Sequence, residues 1–505
     1  MATVASLICW GGLNGKQVAS INTSTDQLTI TSHGLRDGGG VQFDSWTTAP
    51  TVTGGVALNT TYYAKYISSS AFELYYDSGL TSKLDFTAAG SALYLKSAYL
   101  KGLADTSRWG TRIYDGIATW NSGRAGASEF DVEIAEIGEA FTEFASADLT
   151  ITVPSAQNRI ETRIDGARTA GFHYGKIPAA LAGLTPSDGY MFWSTAATTS
   201  ALRIYRVRDT IDGIVCVWGA STARNVFDIG SMCTLLYSIA TCSAGNFGTG
   251  IYARNAFATI IGTVCYRLSA GITSGTSQSG IFWGNNTLAN VSTSISGVNA
   301  STTIGTYYNN ISTAAWPAQP TNIVASGNSG PTGSAAWVTG SGTSYTVNTT
   351  DFADYANRDL KPLNGASPQV DTGILYYGYP DRDIRNLERP AYNNGGSEAI
   401  DIGAYEHDPG FGPHPATTTL TFDGVPAGTE IRIYDQLGAS AVELAGVESS
   451  AANPSLTVNY TGPGQVVWVT VASLTRKLQQ FQLTVPAEDT TVPMQMSLDP
   501  WYSNP

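Results

Sequence analysis

The chain has 505 residues and a formal net charge of −13, and only 13% of its residues are charged. One ordinary hydrophobic core does not grow to this length, so the chain must divide into several units or stack short repeats that contact only their neighbours. The acidic balance argues against binding to a nucleic-acid backbone, and no apolar run is long enough for a membrane-spanning helix.

The cysteines and the first residues indicate where the protein is made. The five cysteines form no C-x-x-C pair, and the apolar run after Met1 has no basic flank; the cysteines are Cys9, Cys216, Cys233, Cys242 and Cys265. An odd number without a framework predicts reduced, buried thiols in a protein made in the cytosol. No secretory signal is expected.

Residues 1–18 are predicted to form an extended lead, and residues 19–95 a small β-barrel or sandwich. In the second segment, short alternating stretches such as Leu28-Thr-Ile30 are separated by Gly38-Gly-Gly40 and Gly54-Gly55. Glycine pairs of this kind suit turns that need positive φ, so a compact set of antiparallel strands is expected.

Four strings in this segment resemble a small β-module of tailed-bacteriophage structural proteins. They are Leu28-Thr-Ile-Thr-Ser-His-Gly-Leu35, Gly40-Val-Gln-Phe43, Leu58-Asn-Thr-Thr-Tyr-Tyr63 and Ala71-Phe-Glu-Leu74. The family commonly has Gly-Asp where this chain has Gly39-Gly40, and Gly-Thr where it has Asn59-Thr60. In the context of this resemblance, His33 is predicted to be a turn residue and not a catalytic group.

An acidic run follows between Glu129 and Glu143, after a stretch from Tyr114 to Trp120 that could form a short helix. Paired carboxylates serve glycosidases as acid and base, so catalysis or Ca²⁺ binding is the alternative for this run. However, Asp131-Val-Glu-Ile134 alternates as a strand does, which predicts that the acids form its solvent-facing side.

Residues 96–407 are predicted to form a parallel β-solenoid. Short β-prone runs recur between Ala201 and Thr313, and the recurrence Ile261-Gly262, Trp283-Gly284, Ile304-Gly305 indicates a repeat of roughly 21 to 23 residues. A unit of that length cannot bury its own apolar side, so it must stack on its neighbours. Asn285-Asn286 and Asn309-Asn310 lie at predicted turns, where asparagine adopts left-handed backbone or stacks as a ladder.

The end of this segment resembles the last coils of right-handed parallel β-helix proteins of the pectate-lyase-like kind. The resemblance covers about 55 residues and is carried by Asp351-Phe-Ala-Asp354, Asp359-Leu-Lys-Pro-Leu363, Ala366-Ser-Pro-Gln-Val-Asp-Thr-Gly373 and Ser397-Glu-Ala-Ile-Asp-Ile-Gly-Ala-Tyr-Glu406. It implies a right-handed parallel β-helix with capping coils, but no activity. Asp371 and Asp401 could bind a cation, although turn capping is the favoured role.

Three further segments complete the chain. Residues 408–415 are predicted to be a linker, residues 416–493 a β-sandwich of regularly spaced strands, and residues 494–505 an extended tail. The tail resembles the C-terminal end of other phage virion proteins. Trp501 and Tyr502 are therefore candidates for docking on a neighbouring subunit.

Together these features predict a structural, non-enzymatic component of a tailed-phage virion, as a fibre, spike or surface decoration. The expected partners are other virion proteins and further copies of the chain, with a trimer favoured by the resemblance. No cofactor, metal or catalytic residue is predicted. The alternative is a polysaccharide depolymerase, although Asp209, Asp212 and Asp228 are the only acids between Ala201 and Thr313.

A glycan-binding adhesin without turnover is a third interpretation, compatible with the first. Aromatic rings stack on sugars, and the candidate residues are Trp218, Tyr252, Tyr266, Trp283 and Tyr307, with inward packing as the alternative for each. Several arginines could bind anionic sugars, although arginine on the outer side of a strand is ordinary; they are Arg203, Arg206, Arg208 and Arg224. A host surface polysaccharide is therefore a candidate partner.

Overall fold

The structure, a computed structural model, describes most of the first four hundred residues and the strands of the C-terminal part. The described residues are 3–103, 106–107, 109–123, 132–145, 147–151, 161–166, His173, Ile177, 189–195, 199–205, 209–220, Thr222, 224–243, 245–254, 257–275, 281–297, 305–332, 336–339, 344–364, 366–370, 372–373, 383–385, 401–405, 417–423, Val425, 429–434, 443–449, 454–459, 466–473, 476–484 and 490–493. Strands dominate, which confirms the predicted all-β class. The chain divides into two units, Met1–His407 and Asp408–Pro505.

A ten-stranded sheet, parallel throughout, runs through the first unit. Its spatial order is β11 (Ile113–Tyr114), β1 (Thr3–Ile8), β12 (Val132–Ile137), β15 (Glu161–Asp165), β18 (Thr210–Asp212), β21 (Thr234–Leu236), β24 (Thr259–Ile261), β26 (Ile281–Gly284), β28 (Gly305–Tyr308) and β30 (Ile323–Ser326).

A second parallel sheet has thirteen strands and two arms, and we call it the wide sheet. The first arm contains β13 (Thr142–Ala145), β16 (Met191–Ser194), β19 (Val215–Trp218) and β22 (Ile239–Cys242). The second arm contains β14 (Leu149–Ile151), β17 (Ser200–Ile204), β20 (Asn225–Ile229) and β23 (Thr249–Ala253). Both arms pair with β25 (Val264–Ser274), and the sheet continues through β27 (Thr287–Ser296), β29 (Ile311–Ser312), β31 (Asn328–Gly330) and β32 (Ser344–Thr346).

The chain visits these surfaces in rotation. From β18 to β23 it adds one strand to the ten-stranded sheet, one to the first arm and one to the second arm, and then starts again. Ile211, Leu235 and Ile260 are partners in register, so neighbouring strands of one sheet lie about 24 residues apart. The predicted repeat length is close, but the predicted register is wrong. Ile261 pairs with Gly284 and not with Trp283, and Gly305 pairs with Ile281 and not with Gly284.

The inward side of the ten-stranded sheet forms a continuous apolar column. Its members are at most 1% exposed and follow one another in register: Ile164, Ile211, Leu235, Ile260, Trp283, Tyr307 and Ala325. The rings of Trp283 and Tyr307 meet edge to face at 4.8 Å, and Tyr307 meets Trp337 in the same way at 5.1 Å. Each repeat therefore buries its apolar side against the next, as stacking requires.

A ladder of buried asparagines lies at the turn between the ten-stranded sheet and the continuation of the wide sheet through β27, β29 and β31. Asn310 Oδ1 accepts from the side-chain amide of Asn286 at 2.9 Å, and the Asn310 amide donates to Asn328 Oδ1 at 3.0 Å. Asn285 and Asn309, the residues just before two of them, have φ of 53°. Both roles predicted for these asparagine pairs are confirmed.

The segment predicted to close the solenoid lies on the outer side of the wide sheet. Gly403 N donates to Asn309 O at 2.7 Å, and Ala404 N donates to Thr287 Oγ1 at 2.9 Å. Tyr405 belongs to the apolar cluster on the first arm that also contains Tyr266. The described part of the Ile-Asp-Ile-Gly-Ala-Tyr-Glu motif, residues 401–405, thus covers existing strands, and Gly403 leaves no room for a side chain against Thr287.

Earlier in the chain than residues 401–405 lie a 3₁₀ helix at Thr349–Asp351 and an antiparallel pair of strands, β33 (Phe352–Asp354) and β34 (Asp359–Pro362). Two short α-helices, α1 (Ala98–Gly102) and α2 (Ile117–Gly123), complete this unit, and α2 overlaps the helix predicted near Tyr114–Trp120. Neither α-helix of the described residues is long and apolar enough to cross a membrane.

The N-terminal module is a nearly closed, seven-stranded antiparallel sheet. Its order is β2 (Lys16–Gln17), β10 (Tyr94–Ser97), β5 (Gly39–Ser45), β7 (Thr61–Ser68), β8 (Ala71–Tyr75), β4 (Gln27–Thr29) and β3 (Ser20–Asn22), with β6 (Thr51–Val52) and β9 (Phe86–Ala88) as a separate pair. Because β2 and β3 are nearly consecutive yet lie at opposite edges, the sheet curls on itself like a barrel. Leu28, Phe43 and Phe72 fill its interior.

Part of the segment predicted to be an extended lead, Thr3–Ile8, forms the strand β1 of the ten-stranded sheet. β1 pairs with β12 over its whole length, from Thr3↔Val132 to Ile8↔Ile137. The barrel is therefore inserted between the first strand of the ten-stranded sheet and the rest of it.

The His-Gly-Leu turn holds the barrel against the large sheets. The His33 ring is fully buried, Nδ1 accepts from Leu35 N at 2.9 Å, and Nε2 lies 2.7 Å from Ser68 O. Burial lowers the pKa of His33, so the ring is neutral and braces the turn. Gly34 O accepts from Thr142 N at 2.9 Å, which joins the turn to β13.

The acidic run does not form a solvent-facing side. Along β12, Glu133 is 3% exposed and lies on the buried side with Ala135, whereas Val132 and Ile134 are only partly buried. Asp131 lies outside the described residues. The alternation of this strand is present, but the side that faces water is the opposite of the predicted one.

In the second unit, seven strands form two sheets. One contains β38 (Ser455–Asn459), β35 (Thr417–Asp423) and β41 (Thr490–Pro493), and the other β37 (Glu443–Ser449), β36 (Thr429–Tyr434), β39 (Val466–Ser473) and β40 (Arg476–Thr484). Leu420, Ile431 and Val469 are buried. The predicted spacing of strands is present, and face-to-face packing of the two sheets remains a prediction.

All five cysteines are buried and free, as predicted. Burial raises the pKa of Cys233 to about 12, and burial likewise raises the pKa of Cys216. The thiols are thus held in their unreactive, protonated form.

Candidate functional site

A polar and aromatic surface lies on the second arm of the wide sheet. Arg203, Asp228 and Tyr252 are partners in register on β17, β20 and β23. Their neighbours Ile204, Ile229 and Ala253 are at most 1% exposed and face the core. Because side chains alternate along a strand, the first three project to the outer side.

Arg254 and Asp228 form the centre of this surface. Arg254 Nε donates to Asp228 Oδ1 at 3.0 Å, and Nη2 donates to Oδ2 at 2.6 Å. The Asp228 side chain is fully buried, whereas that of Arg254 is 43% exposed. Two parallel bonds fix the plane of the guanidinium, because the planar fork matches the carboxylate.

Two tyrosine rings flank this guanidinium. The Arg254 carbon Cζ lies 5.3 Å from the centre of the Tyr205 ring and 5.2 Å from that of Tyr252. The Tyr205 hydroxyl donates to Asp228 Oδ2 at 2.9 Å, which fixes its position. Between Tyr205 and Arg254 lies Gly230, where a Cβ would come within 2.7 Å of the Tyr205 Cα. The missing side chain allows the backbones to approach closely.

Polar side chains extend the surface on both sides of this centre. Arg203 donates to Asp148 at 2.6 Å, and the Thr199 hydroxyl donates to the same carboxylate at 2.8 Å. On the other side, the hydroxyls of Thr273 and Ser296 lie 2.6 Å apart. The outer side of the second arm therefore offers hydroxyls, two tyrosine rings and the guanidinium groups of Arg203 and Arg254.

The chemistry of this surface is that of binding. The Asp228 carboxylate accepts from Ser200, Tyr205 and Arg254, so both of its oxygens are engaged. A nucleophile or general base needs an oxygen that is open to substrate. Asp228 instead fixes the orientation of the Arg254 guanidinium.

The other carboxylates that could serve catalysis lie elsewhere. Asp212 is 3% exposed and accepts from Arg163 at 2.8 Å, and Asp209 is 2% exposed. Glu143 accepts from Ile117 N at 2.6 Å and from Ala118 N at 2.9 Å at the first turn of α2. Burial raises the pKa of Glu143 even though these bonds favour the charged form.

Glu139 is another acid whose pKa is raised by burial. It lies where the barrel meets the large sheets and accepts from Trp10 N at 2.8 Å. Burial raises the pKa of Glu139 to about 7, against the opposing effect of hydrogen bonds from Ser97 and Trp10. At pH 8 the folded protein therefore holds a charge that burial disfavours.

We expect Glu139→Gln to stabilise the protein at high pH. A carboxyl group whose pKa is raised by folding contributes stability below its unfolded pKa near 4.5, and that contribution is lost as the pH rises through about 7. Glutamine keeps the acceptor for Trp10 N and carries no charge. The variant should gain roughly 1–2 kcal/mol in free energy of unfolding at pH 8.

The measurement is urea unfolding of wild type and variant between pH 5 and pH 8. The difference in free energy of unfolding between variant and wild type should grow with pH, because Glu139 loses its proton over this range. Histidine titration affects both proteins equally and cancels in the difference. Glu136→Gln is the control, since Glu136 is a partly buried acid of β12 that accepts from the Trp109 indole. A Glu139→Gln variant with the wild-type pH dependence would contradict the expectation.

Four of the five aromatic residues predicted to bind glycans lie in the interior. Trp218 and Tyr307 are 0% exposed, Trp283 is 1% exposed and Tyr266 is 5% exposed. A sugar cannot stack on a ring that is already packed. Trp218, Trp283 and Tyr307 pack inward, whereas Tyr266 is buried in the apolar cluster on the outer side of the wide sheet that also contains Tyr405. Tyr252 is partly exposed and lies on the candidate surface. Trp501 and Tyr502 lie outside the described residues.

Sequence reasoning missed Tyr205 and Arg254. Arg203 was a candidate, and Arg224 is exposed beside β20, whereas Arg206 and Arg208 lie outside the described residues. Aligning the strands by a repeat of about 24 residues would have placed Tyr205 and Arg254 in one row with Gly230 between them. The signal was present, but it requires the correct register.

Within the described ranges, no group of three or more histidine, cysteine or acidic side chains could hold a metal ion. A comparison with protein-family models finds no match, and a comparison with curated proteins finds none either.

Proposed function

We propose that this protein is a structural, non-enzymatic component of a tailed-phage virion, a fibre, spike or decoration protein exposed on the particle. The observation that carries the proposal is the joining of two modules. A barrel with the His-Gly-Leu motif is inserted after β1 and bound through Gly34 and Thr142 to a stack of parallel strands. The two modules are thus joined by backbone hydrogen bonds, which suits a structural part of a particle.

The stack of parallel strands is, on this proposal, a right-handed parallel β-helix. Three features support it: the strands are parallel, the chain visits three surfaces in rotation, and buried asparagines stack at one turn. The right hand is what the resemblance of the Asp351–Glu406 strings implies. The barrel and the C-terminal sheets then make contacts with other virion proteins or with further copies of the chain.

The absence of turnover is supported by the state of the carboxylates. A glycosidase needs two carboxyl groups roughly 5 to 10 Å apart that both face the sugar. Asp209, Asp212 and Asp228, the acids between Ala201 and Thr313, are buried, and Asp228 is bound to Arg254.

The alternative, a polysaccharide depolymerase, has one observation in its favour. A pKa of about 7, as burial imposes on Glu139, suits a general acid at neutral pH. However, one oxygen of Glu139 accepts from Trp10 N beneath the barrel. A depolymerase would therefore require the barrel to move aside.

Two measurements on the purified full chain test the proposal. Light scattering should give the mass of a stable homo-oligomer, a trimer according to the resemblance. Surface polysaccharide of the host bacterium should keep its chain length after incubation with the protein, as judged by size-exclusion chromatography. Shortened polysaccharide would replace the proposal by the depolymerase, and Glu139→Gln would then be the first variant to assay.

A further inference from the structure

The charge of the stacked region differs from that of the rest of the chain. Between residues 189 and 350 the sequence has six arginines, no lysine, three aspartates and no glutamate, although the whole chain has a formal net charge of −13. The arginines are Arg203, Arg206, Arg208, Arg224, Arg254 and Arg267. All three aspartates are at most 3% exposed. The formal charge of this region is therefore positive, and its aspartates are buried.

The described arginines of this group concentrate on the second arm. Arg203 lies in β17, Arg224 directly precedes β20, and Arg254 directly follows β23. Arg267 lies in β25, where both arms meet. Arginine without lysine is the composition expected for recognition of carboxylates, because the guanidinium presents a planar fork of donors.

Arg254 keeps one edge of its fork open. Of its five N–H groups, Asp228 takes one on Nε and one on Nη2, which together form the side edge of the guanidinium. The three remaining N–H groups point away from Asp228 and have no partner among the described residues. Since the side chain is 43% exposed, this end-on edge is open to a ligand.

From this geometry we infer that the outer side of the second arm binds an acidic polysaccharide. The end-on edge of Arg254 pairs with a sugar carboxylate, and the partly exposed Tyr252 ring packs against the C–H face of the same or the next sugar. Neighbouring strands repeat about every 4.8 Å, so the hydroxyls of Thr273 and Ser296 continue the surface beyond the tyrosine. The inference rests on the proposed exposure of the protein on the particle, and it adds a ligand class, an acidic glycan.

The same charges argue against a nucleic acid as the ligand. A nucleic acid carries one phosphate for each nucleotide, and binding it requires clustered basic residues. Here Arg254 and Arg203 each already pair with one aspartate, so the positive charge left for a ligand is sparse, and the whole chain is acidic. Sparse charge on the ligand, at most one carboxylate for each sugar, fits isolated forks better than a dense polyanion does.

Three polymers separate the contributions of sugar and charge. Dextran has sugar rings without charge, carboxymethyl-dextran has both, and polyacrylate has carboxylates without sugar. With the full-length protein immobilised at low salt, we expect carboxymethyl-dextran to bind at least tenfold more tightly than either of the others, and less tightly as salt increases. Equal binding of polyacrylate, or no binding of carboxymethyl-dextran, would overturn the inference.

Matched variants locate the binding surface. Arg254→Gln should weaken binding of carboxymethyl-dextran about tenfold, whereas Lys361→Gln should leave it unchanged. Lys361 is a good control because its side chain is 42% exposed and also pairs with an aspartate, Asp359, at 3.0 Å. Equal losses in the two variants would assign the binding to charge anywhere on the protein and overturn the inference.

Arg254→Gln leaves the buried Asp228 carboxylate without its main partner, so this variant could lose binding because it misfolds. Tyr252→Ala is therefore a second variant that tests the same surface. The Tyr252 side chain makes no hydrogen bond to another described residue. This variant should therefore keep the thermal midpoint of the wild type and still bind carboxymethyl-dextran several-fold more weakly. Unchanged binding would overturn the inference. The chain length of the polymer after incubation distinguishes the two proposals. A shortened polymer would refute the non-enzymatic function, whereas a polymer of unchanged length that the wild-type protein does not bind would refute only the inference.

Discussion

Replacing Asn310 by alanine is expected to lower the free energy of unfolding by about 3 kcal/mol. The Asn310 amide donates to Trp283 O at 3.1 Å and to Asn328 Oδ1 at 3.0 Å, and its Oδ1 accepts two bonds from Asn286. The side chain is 3% exposed, so water cannot replace these partners. Alanine would leave buried donors and acceptors unpaired on two neighbouring repeats.

Urea unfolding followed by tryptophan fluorescence measures this effect. Trp283, Trp316 and Trp337 lie together in the core beside the ladder and report on its opening. Asn225→Ala is the matched control, because its partly buried amide donates one bond, to Ser200 Oγ at 3.3 Å. We expect the control to cost less than 1 kcal/mol. A loss of the same size in both variants would show that the ladder does not stabilise the stack.

Gly34→Ala is expected to destabilise the junction between the barrel and the large sheets by about 3 kcal/mol. Gly34 has φ of +69°, and a Cβ at this position would collide with the carbonyl oxygen of Thr142. The obstacle is backbone, so it cannot move aside without breaking the bond from Thr142 N to Gly34 O. Arg36, whose Nη2 donates to Phe141 O at 3.0 Å, would be displaced with the turn.

The control for this prediction is Gly55→Ala. Gly55 has φ of +84°, but a Cβ there meets no atom within 4 Å. Its cost should be about 1 kcal/mol, that of a left-handed backbone alone. Hydrogen exchange of Thr142 N, together with the thermal midpoint, would separate the two variants. Unaltered protection of Thr142 in Gly34→Ala would contradict the proposed junction.

Features that depend on neighbouring residues were predictable from the sequence. The all-β class, the approximate repeat length and the left-handed asparagines at turns all follow from local sequence patterns. His33 is similar, because the turn that surrounds it is encoded within a few residues. Its buried ring bonds to Ser68 and Leu35 as a bracing group does.

Features that depend on which side of a strand is covered were not predictable. Glu133 lies inside and Val132 partly outside, because β12 is covered by parts of the chain that are distant in sequence. Tyr266 lies beneath the cluster that contains Tyr405. Alternation shows that a strand has two sides, but it does not identify the solvent-facing side when both are largely apolar.

The sequence by itself determined the strand content, the turn residues and the presence of a region in which arginine is the only basic residue. These features depend only on single residues and their immediate neighbours. Only the tertiary structure decided that Asp228 orients Arg254 between Tyr205 and Tyr252, and that four of the five candidate aromatic residues are buried. The physical reason is register. A shift of one residue turns every side chain of a strand to its other side, and pairing between strands about 24 residues apart sets that register.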